Sequence, residues 1–68
     1  MDKWAKVYIT RNYAQANIIK GMLEENNIPV TLLNKLDSSY LNFGDIEVYV
    51  IKEFAALASS LINKSLMN

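Results

Sequence analysis

The sequence contains no cysteine and no histidine, and this absence limits how so short a chain can become stable. A domain of 68 residues buries only about 60% of the surface that its unfolded chain exposes, so we expect its stability to be small. Small domains usually compensate with disulfides, a bound metal or self-association. Because thiol and imidazole ligands are missing, a disulfide is impossible and a structural zinc site is not expected. We therefore predict no metal and no cofactor, and self-association is the remaining source of stability.

The charges of the chain balance, with seven basic residues against seven acidic ones. The basic residues are spread along the sequence, whereas nucleic acid binding draws on clustered cations. The first ten residues do not resemble a secretion signal. No apolar run approaches the ~18 residues that span a bilayer. We therefore expect one cytoplasmic domain over residues 1–68 that binds neither nucleic acid nor membranes.

Three segments alternate apolar and polar side chains with a period of two, which is typical of half-buried strands. These segments are residues 4–10, 29–35 and 45–52. The connection between the last two, residues 34–44, is long enough to form an antiparallel hairpin.

Two segments carry apolar side chains at spacings of three and four, which predicts amphipathic helices. The first covers residues 13–26, and Asn12 with Gln15 three positions later predicts a capping box at its start. Gly21 lies inside this helix, either because a neighbouring backbone approaches closely or because the position merely tolerates glycine. The second helix begins at Glu53. The stripes predicted to cover the sheet are Ala14, Ile18, Ile19, Met22 and Leu23 in the first helix, and Phe54, Leu57, Ala58, Leu61 and Ile62 in the second.

This βαββα order predicts an α+β sandwich with strand order 1-3-2. A helical crossover makes the first two strands parallel, and the hairpin returns the third strand antiparallel between them. Both helices then lie on one face of the sheet. The result is a split βαβ unit, similar to a ferredoxin-like sandwich without its last strand, in which the first strand keeps a free edge.

The strand alternation also predicts a sheet face that the helices leave uncovered. Its large side chains are Trp4, Tyr8, Leu33, Tyr49 and Ile51, mixed with the polar residues Lys6, Thr10, Thr31 and Glu47. One interpretation is that aromatic residues are good strand formers and fill half-exposed cross-strand pairs. The favoured interpretation is an interaction surface, used by a homodimer or by another protein partner, together with the free edge of the first strand.

The hairpin offers a second, different site. Serine hydroxyls, backbone amides and a lysine can form an anion-binding turn. The residues in question are Lys35, Asp37, Ser38, Ser39 and Tyr40. The same residues are also ordinary turn formers that bond to their own backbone. The apolar residues Tyr40, Leu41 and Phe43 make the hairpin either a packing lid or a binding loop.

No pattern of catalytic residues is present. Asp45 and Glu47 point the same way on their strand, but without a third ligand or a cleft they are best explained as solvated charges. Gly21 and Gly44 are isolated, so the sequence has no phosphate-binding glycine loop. We therefore expect a protein that is not an enzyme.

Residues 11–30, RNYAQANIIKGMLEENNIPV, and residues 32–50, LLNKLDSSYLNFGDIEVYV, resemble the small bacterial domains described as "putative prokaryotic signal-transducing" proteins. Within the hairpin, the resemblance is carried by Asn34, Lys35, Asp37, Ser38 and Tyr40. It implies a fold similar to PII-like and ferredoxin-like sandwiches, and a regulatory role in bacteria whose pathway is unassigned. The chain has no room for the long nucleotide-binding loop and final strand of PII proteins, so trimers and nucleotide binding are not implied.

Overall fold

The computed structural model describes residues 2–36 and 44–66 of the chain. Three strands and two helices form in the predicted order. The elements are β1 (Trp4–Thr10), α1 (Tyr13–Glu25), β2 (Val30–Leu36), β3 (Gly44–Ile51) and α2 (Ala55–Leu66), with a 3₁₀ turn at Lys52–Phe54 leading into α2. Neither helix of the described part has the length and apolar character needed to cross a membrane.

Helix α1 begins at a cap that differs in one bond from the predicted capping box. Asn12 Oδ1 accepts from the amide of Gln15 at 3.1 Å, as expected for an N-cap. The Gln15 side chain, however, does not reach back to the amide of Asn12. That amide donates to Thr10 Oγ1 at 3.0 Å, and the Thr10 hydroxyl donates to Gln15 Oε1 at 2.9 Å. The last residue of β1 therefore joins the strand to the start of the helix.

The end of α1 is a Schellman motif. Asn27 adopts a left-handed conformation with φ of 61°. The amide of Asn27 donates to Glu24 and the amide of Ile28 donates to Leu23, each at 3.0 Å. Ile28 and Leu23 are both buried, which supplies the apolar contact that usually accompanies this motif. The chain thus leaves the helix and enters β2 with its backbone groups satisfied.

The sheet has the order β1-β3-β2, and both neighbouring pairs are antiparallel. The central strand β3 supplies the core residues Ile46, Val48 and Val50, which are fully buried. Both helices pack on this side of the sheet. The helical residues that complete the core are Ala16, Ile19 and Leu23 from α1, and Ala58 and Ile62 from α2. The prediction of a βαββα sandwich in a ferredoxin-like arrangement is confirmed.

The stripe predicted for α1 is wrong at two positions. Ala14 is exposed, and Ile18 is 68% exposed; the stripe predicted for α2 is likewise wrong at Leu57, which is 51% exposed. Helix α1 instead centres its contact on Ala16, which the predicted stripe did not include. A helix lying on a sheet of three strands makes a narrow contact, so a residue about 100° away from Ile19 on the helix surface stays in water.

Strand β1 contains an irregularity that determines which side chains face the helices. The pairing with β3 runs regularly from Trp4 to Lys6, and then shifts so that Tyr8 pairs with Val48. Val7 is the additional residue of a β-bulge, and both Val7 and Tyr8 pack against the core. Beyond the bulge the alternation is reversed relative to a regular strand.

Candidate functional site

The face of the sheet opposite the helices is the candidate site, and we call it the open face. The strand register assigns ten residues to it. They are Trp4, Lys6 and Ile9 from β1, Thr31, Leu33 and Lys35 from β2, and Asp45, Glu47, Tyr49 and Ile51 from β3. No helix of the described residues lies over this face, because α1 and α2 both pack on the other side.

Four of the five side chains predicted for an interaction surface lie on the open face, and the fifth does not. Trp4, Leu33, Tyr49 and Ile51 are placed there by their pairing. The placement of Tyr8 was wrong, since the bulge at Val7 turns Tyr8 toward the core. The same bulge moves Thr10 to the helix side, where it pairs with Ile46.

Ile9 takes the position that a regular strand would have given to Tyr8. It pairs with Glu47 on the open face, and its side chain is 47% exposed. Strand alternation alone had assigned Ile9 to the core. The open face therefore carries one aliphatic side chain more, and one phenol fewer, than the sequence predicts.

Glu47 lies at the centre of the open face and is nearly buried, with its side chain only 6% exposed. Both carboxylate oxygens are occupied. Oε1 accepts from the Tyr49 hydroxyl at 2.7 Å, and Oε2 accepts from Lys6 Nζ at 3.2 Å. Lys35 Nζ lies 3.9 Å from Oε1. We call these four side chains the Glu47 cluster.

The environment of Glu47 favours its charged form. The hydrogen bond from Tyr49 is the largest cause that lowers the pKa of Glu47, and burial opposes it. The hydrogen bond from Lys6 and the positive charges of Lys35 and Lys6 add to the lowering. In return, the bond to Glu47 raises the pKa of the Tyr49 phenol. Near neutral pH, Glu47 is therefore a carboxylate and Tyr49 a neutral phenol.

Sequence reasoning described Glu47 as a solvated charge, and this was wrong. Its burial comes from neighbours on all sides, since Ile9 and Leu33 pair with it across the two flanking strands. The central position of β3 was the signal that could have revealed it. A residue near the middle of the central strand has neighbours on both flanking strands, so its side chain can be crowded even on an uncovered face.

The hairpin end of the open face carries a second, looser ion pair. Arg11 Nε lies 3.5 Å from Asp45 Oδ1, and both side chains are well exposed. Lys35 pairs with Asp45 in the strand register. Of the residues predicted to bind an anion, only Lys35 belongs to the described part. Asp37, Ser38, Ser39 and Tyr40 lie outside it, as do Leu41 and Phe43 of the predicted lid.

The Glu47 cluster holds its own side chains in place through hydrogen bonds and is poorly suited to proton transfer. A carboxylate whose pKa is lowered and whose two oxygens already accept hydrogen bonds is a weak base. Over residues 2–36 and 44–66, no three acidic side chains come close enough together to hold a metal ion.

Comparison with known proteins gives one match. A family model described as "Putative prokaryotic signal transducing protein" matches residues 4–65, which covers all three strands and nearly all of α2. The searches of curated proteins and of solved structures return no match.

Proposed function

The chain belongs to the family described as "Putative prokaryotic signal transducing protein", and on that premise we propose that it is a non-enzymatic regulatory module whose open face pairs with the open face of a second copy. One observation carries the proposal. Glu47, a charged residue, is nearly buried on a sheet face that neither helix covers.

The Glu47 cluster lowers the free-energy cost of covering the open face with another protein surface. Burying an unpaired charge at an interface is costly, and the cost falls when the charge is already bonded. Here Tyr49 and Lys6 complete the carboxylate before any partner arrives. No buried side-chain polar atom in the described residues lacks a hydrogen-bond partner. A second copy can therefore cover Glu47 without leaving its carboxylate unpaired.

The apolar side chains around the cluster supply the attraction. Ile9 and Leu33 flank Glu47 on the two outer strands, and Trp4 and Ile51 pair at the end of the face near α2. This is the usual anatomy of an interface, with apolar and aromatic anchors beside a few bonded polar groups.

The size of the face predicts a weak dimer. Three strands of about seven residues, at about 4.8 Å between strands and 3.3 Å per residue, cover on the order of 350 Å². Stable complexes bury about 800 Å² per partner. We therefore expect association that depends on concentration, as suits a regulatory contact that must also release.

Solution mass measured against protein concentration tests the proposal. Light scattering or sedimentation should show the mass rising toward that of a dimer, and Ile9→Ser and Leu33→Ser should each shift the rise to higher concentration. Ile18→Ser is the matched control, because Ile18 is exposed on α1, away from the open face. A chain that remains monomeric at millimolar concentration, or an equal effect of the control variant, would refute pairing through this face.

A second candidate function is a sensor that binds a small anionic ligand at the hairpin end of the sheet. The observation in its favour is that two exposed cations, Arg11 and Lys35, flank Asp45 there. Titration with inorganic phosphate and with nucleotides, followed by amide chemical shifts, tests it. Shifts near Lys35 that disappear in Lys35→Gln but persist in Lys52→Gln support the sensor. If no amide chemical shift changes on titration, the sensor function is ruled out.

A further inference from the structure

The two edge strands of the described sheet differ in how well they are protected from pairing with another chain. Exposed edges are usually protected by bulges, prolines or charged residues. Strand β1 has such protection, since it contains the bulge at Val7 and the charge of Lys6. Strand β2 pairs with β3 without any shift from Val30 to Leu36. Its middle, residues 31–34, has no proline and no charge.

A groove of about 390 Å³ runs along this free edge of β2. Its lining comes from β2 and from one side of α1. The lining residues are Val30, Thr31, Leu32 and Asn34 on the strand, and Tyr13, Asn17, Lys20 and Glu24 on the helix. Val30, Thr31 and Leu32 are consecutive, and consecutive strand residues point to opposite faces. The groove therefore follows the backbone edge of the strand and does not lie over one face of it.

The backbone of β2 has hydrogen-bonding capacity directed into this groove. In an antiparallel pair, alternate residues bond to the neighbouring strand, and the others direct their amide and carbonyl groups away from it. Since β2 has β3 on one side only, the outward set faces the groove between β2 and α1. Another chain lying about 4.8 Å from β2 would occupy this space, with α1 beside it.

We infer that this groove binds an extended peptide segment of a protein partner, which adds to the sheet as a fourth strand beside β2. The site lies along the edge of β2 and borders the open face at Thr31 and Leu33, and a single copy of the chain is sufficient to bind the segment. Its volume lies at the lower end of the range of about 300–1,000 Å³ for binding pockets, which suits a short segment.

The lining also specifies the chemistry of the segment. The wall from α1 is polar, with the Asn17 amide, the Tyr13 phenol and an ion pair in which Lys20 Nζ lies 4.0 Å from Glu24. Because these two charges pair with each other, the groove favours an uncharged segment. Side chains turned toward α1 should be small and able to form hydrogen bonds. Side chains turned the other way lie beside Leu33, which is 37% exposed, and should be apolar.

A short synthetic peptide that alternates threonine with valine or leucine is the probe. Amide chemical shifts should change along residues 30–34 of β2 and residues 13–24 of α1, and outward amides of β2 should become protected from hydrogen exchange. The same peptide methylated on the backbone nitrogens of one edge should lose the effect, because methylation removes the donors that strand addition requires.

Two matched variants locate the site. Asn17→Arg fills the groove from the helix side and should weaken peptide binding about tenfold or more. Asn63→Arg makes the same change on exposed α2 and should leave the affinity within about twofold. Equal affinity of Asn17→Arg and the unchanged protein would overturn the inference. So would shifts that map to β1 or to the open-face residues of β3, equal binding of the methylated peptide, or no binding of any of these peptides at millimolar concentration.

Discussion

Tyr8 provides a direct test of the bulge in β1, because its ring lies on the helix side only if Val7 is the additional residue. We predict that Tyr8→Ala destabilises the protein by about 2 kcal/mol. Removing a fully buried aromatic side chain costs about 3–5 kcal/mol, and the Tyr8 ring is partly buried against the core. Roughly half of the full cost is therefore expected.

This loss is large for so small a domain. At about 0.05–0.15 kcal/mol per residue, a chain of 68 residues has a total stability of about 3–10 kcal/mol. With a urea dependence of about 1 kcal/mol per molar, the unfolding midpoint should fall by about 2 M. The control is Tyr13→Ala, because Tyr13 is exposed on α1 and its loss should cost about 0.5 kcal/mol or less.

Urea unfolding should be followed by circular dichroism at a concentration where the chain is monomeric, since association would add to the apparent stability. If Tyr8→Ala and Tyr13→Ala lose similar, small amounts, then Tyr8 lies on the open face and β1 pairs with β3 without a bulge at Val7.

Two further predictions concern Glu47 and Gly21. The pKa of Glu47 is lower in the folded chain than its ordinary value of 4.5, so its contribution to stability is complete above that pH and is lost as the pH falls below it. Unfolding curves of the wild type and of Glu47→Gln should therefore converge as the pH is lowered below 4.5, and a constant difference between them would contradict the assignment. Gly21→Ala should stabilise the protein by about 0.5–1 kcal/mol, because no heavy atom of the described residues outside the local helix backbone and the adjacent residues lies within 4 Å of the added methyl group. A loss of stability would show that a neighbour approaches this position.

The fold was predictable because each element has a local signal that agrees with its place in the sheet. Alternation marked the strands, Asn12 marked the start of α1, and the βαββ connection determined the strand order. Gly21 left two explanations open in the sequence, a close backbone neighbour or simple tolerance of glycine. Among the described residues nothing outside the local helix lies near Gly21, which favours tolerance.

The composition of the candidate site was less predictable, for two physical reasons. A β-bulge needs no particular residue type, and Val7 is neither a glycine nor part of a turn motif. Periodicity therefore could not show that Ile9, and not Tyr8, faces the open side of the sheet. The burial of Glu47 depends on side chains from two other strands that are distant in sequence. In a regular strand, local patterns report which face a residue occupies, but they report neither a bulge nor how crowded that face is.

The additional residue in β1 has a consequence for comparing relatives of this chain. A homologue of the same length whose β1 paired regularly with β3 would turn its equivalent of Tyr8 to the open face and its equivalent of Ile9 to the core. A homologue that lacks the residue equivalent to Val7 would instead keep both side chains on their present faces, so a deletion at this point of an alignment leaves the chemistry of the open face unchanged.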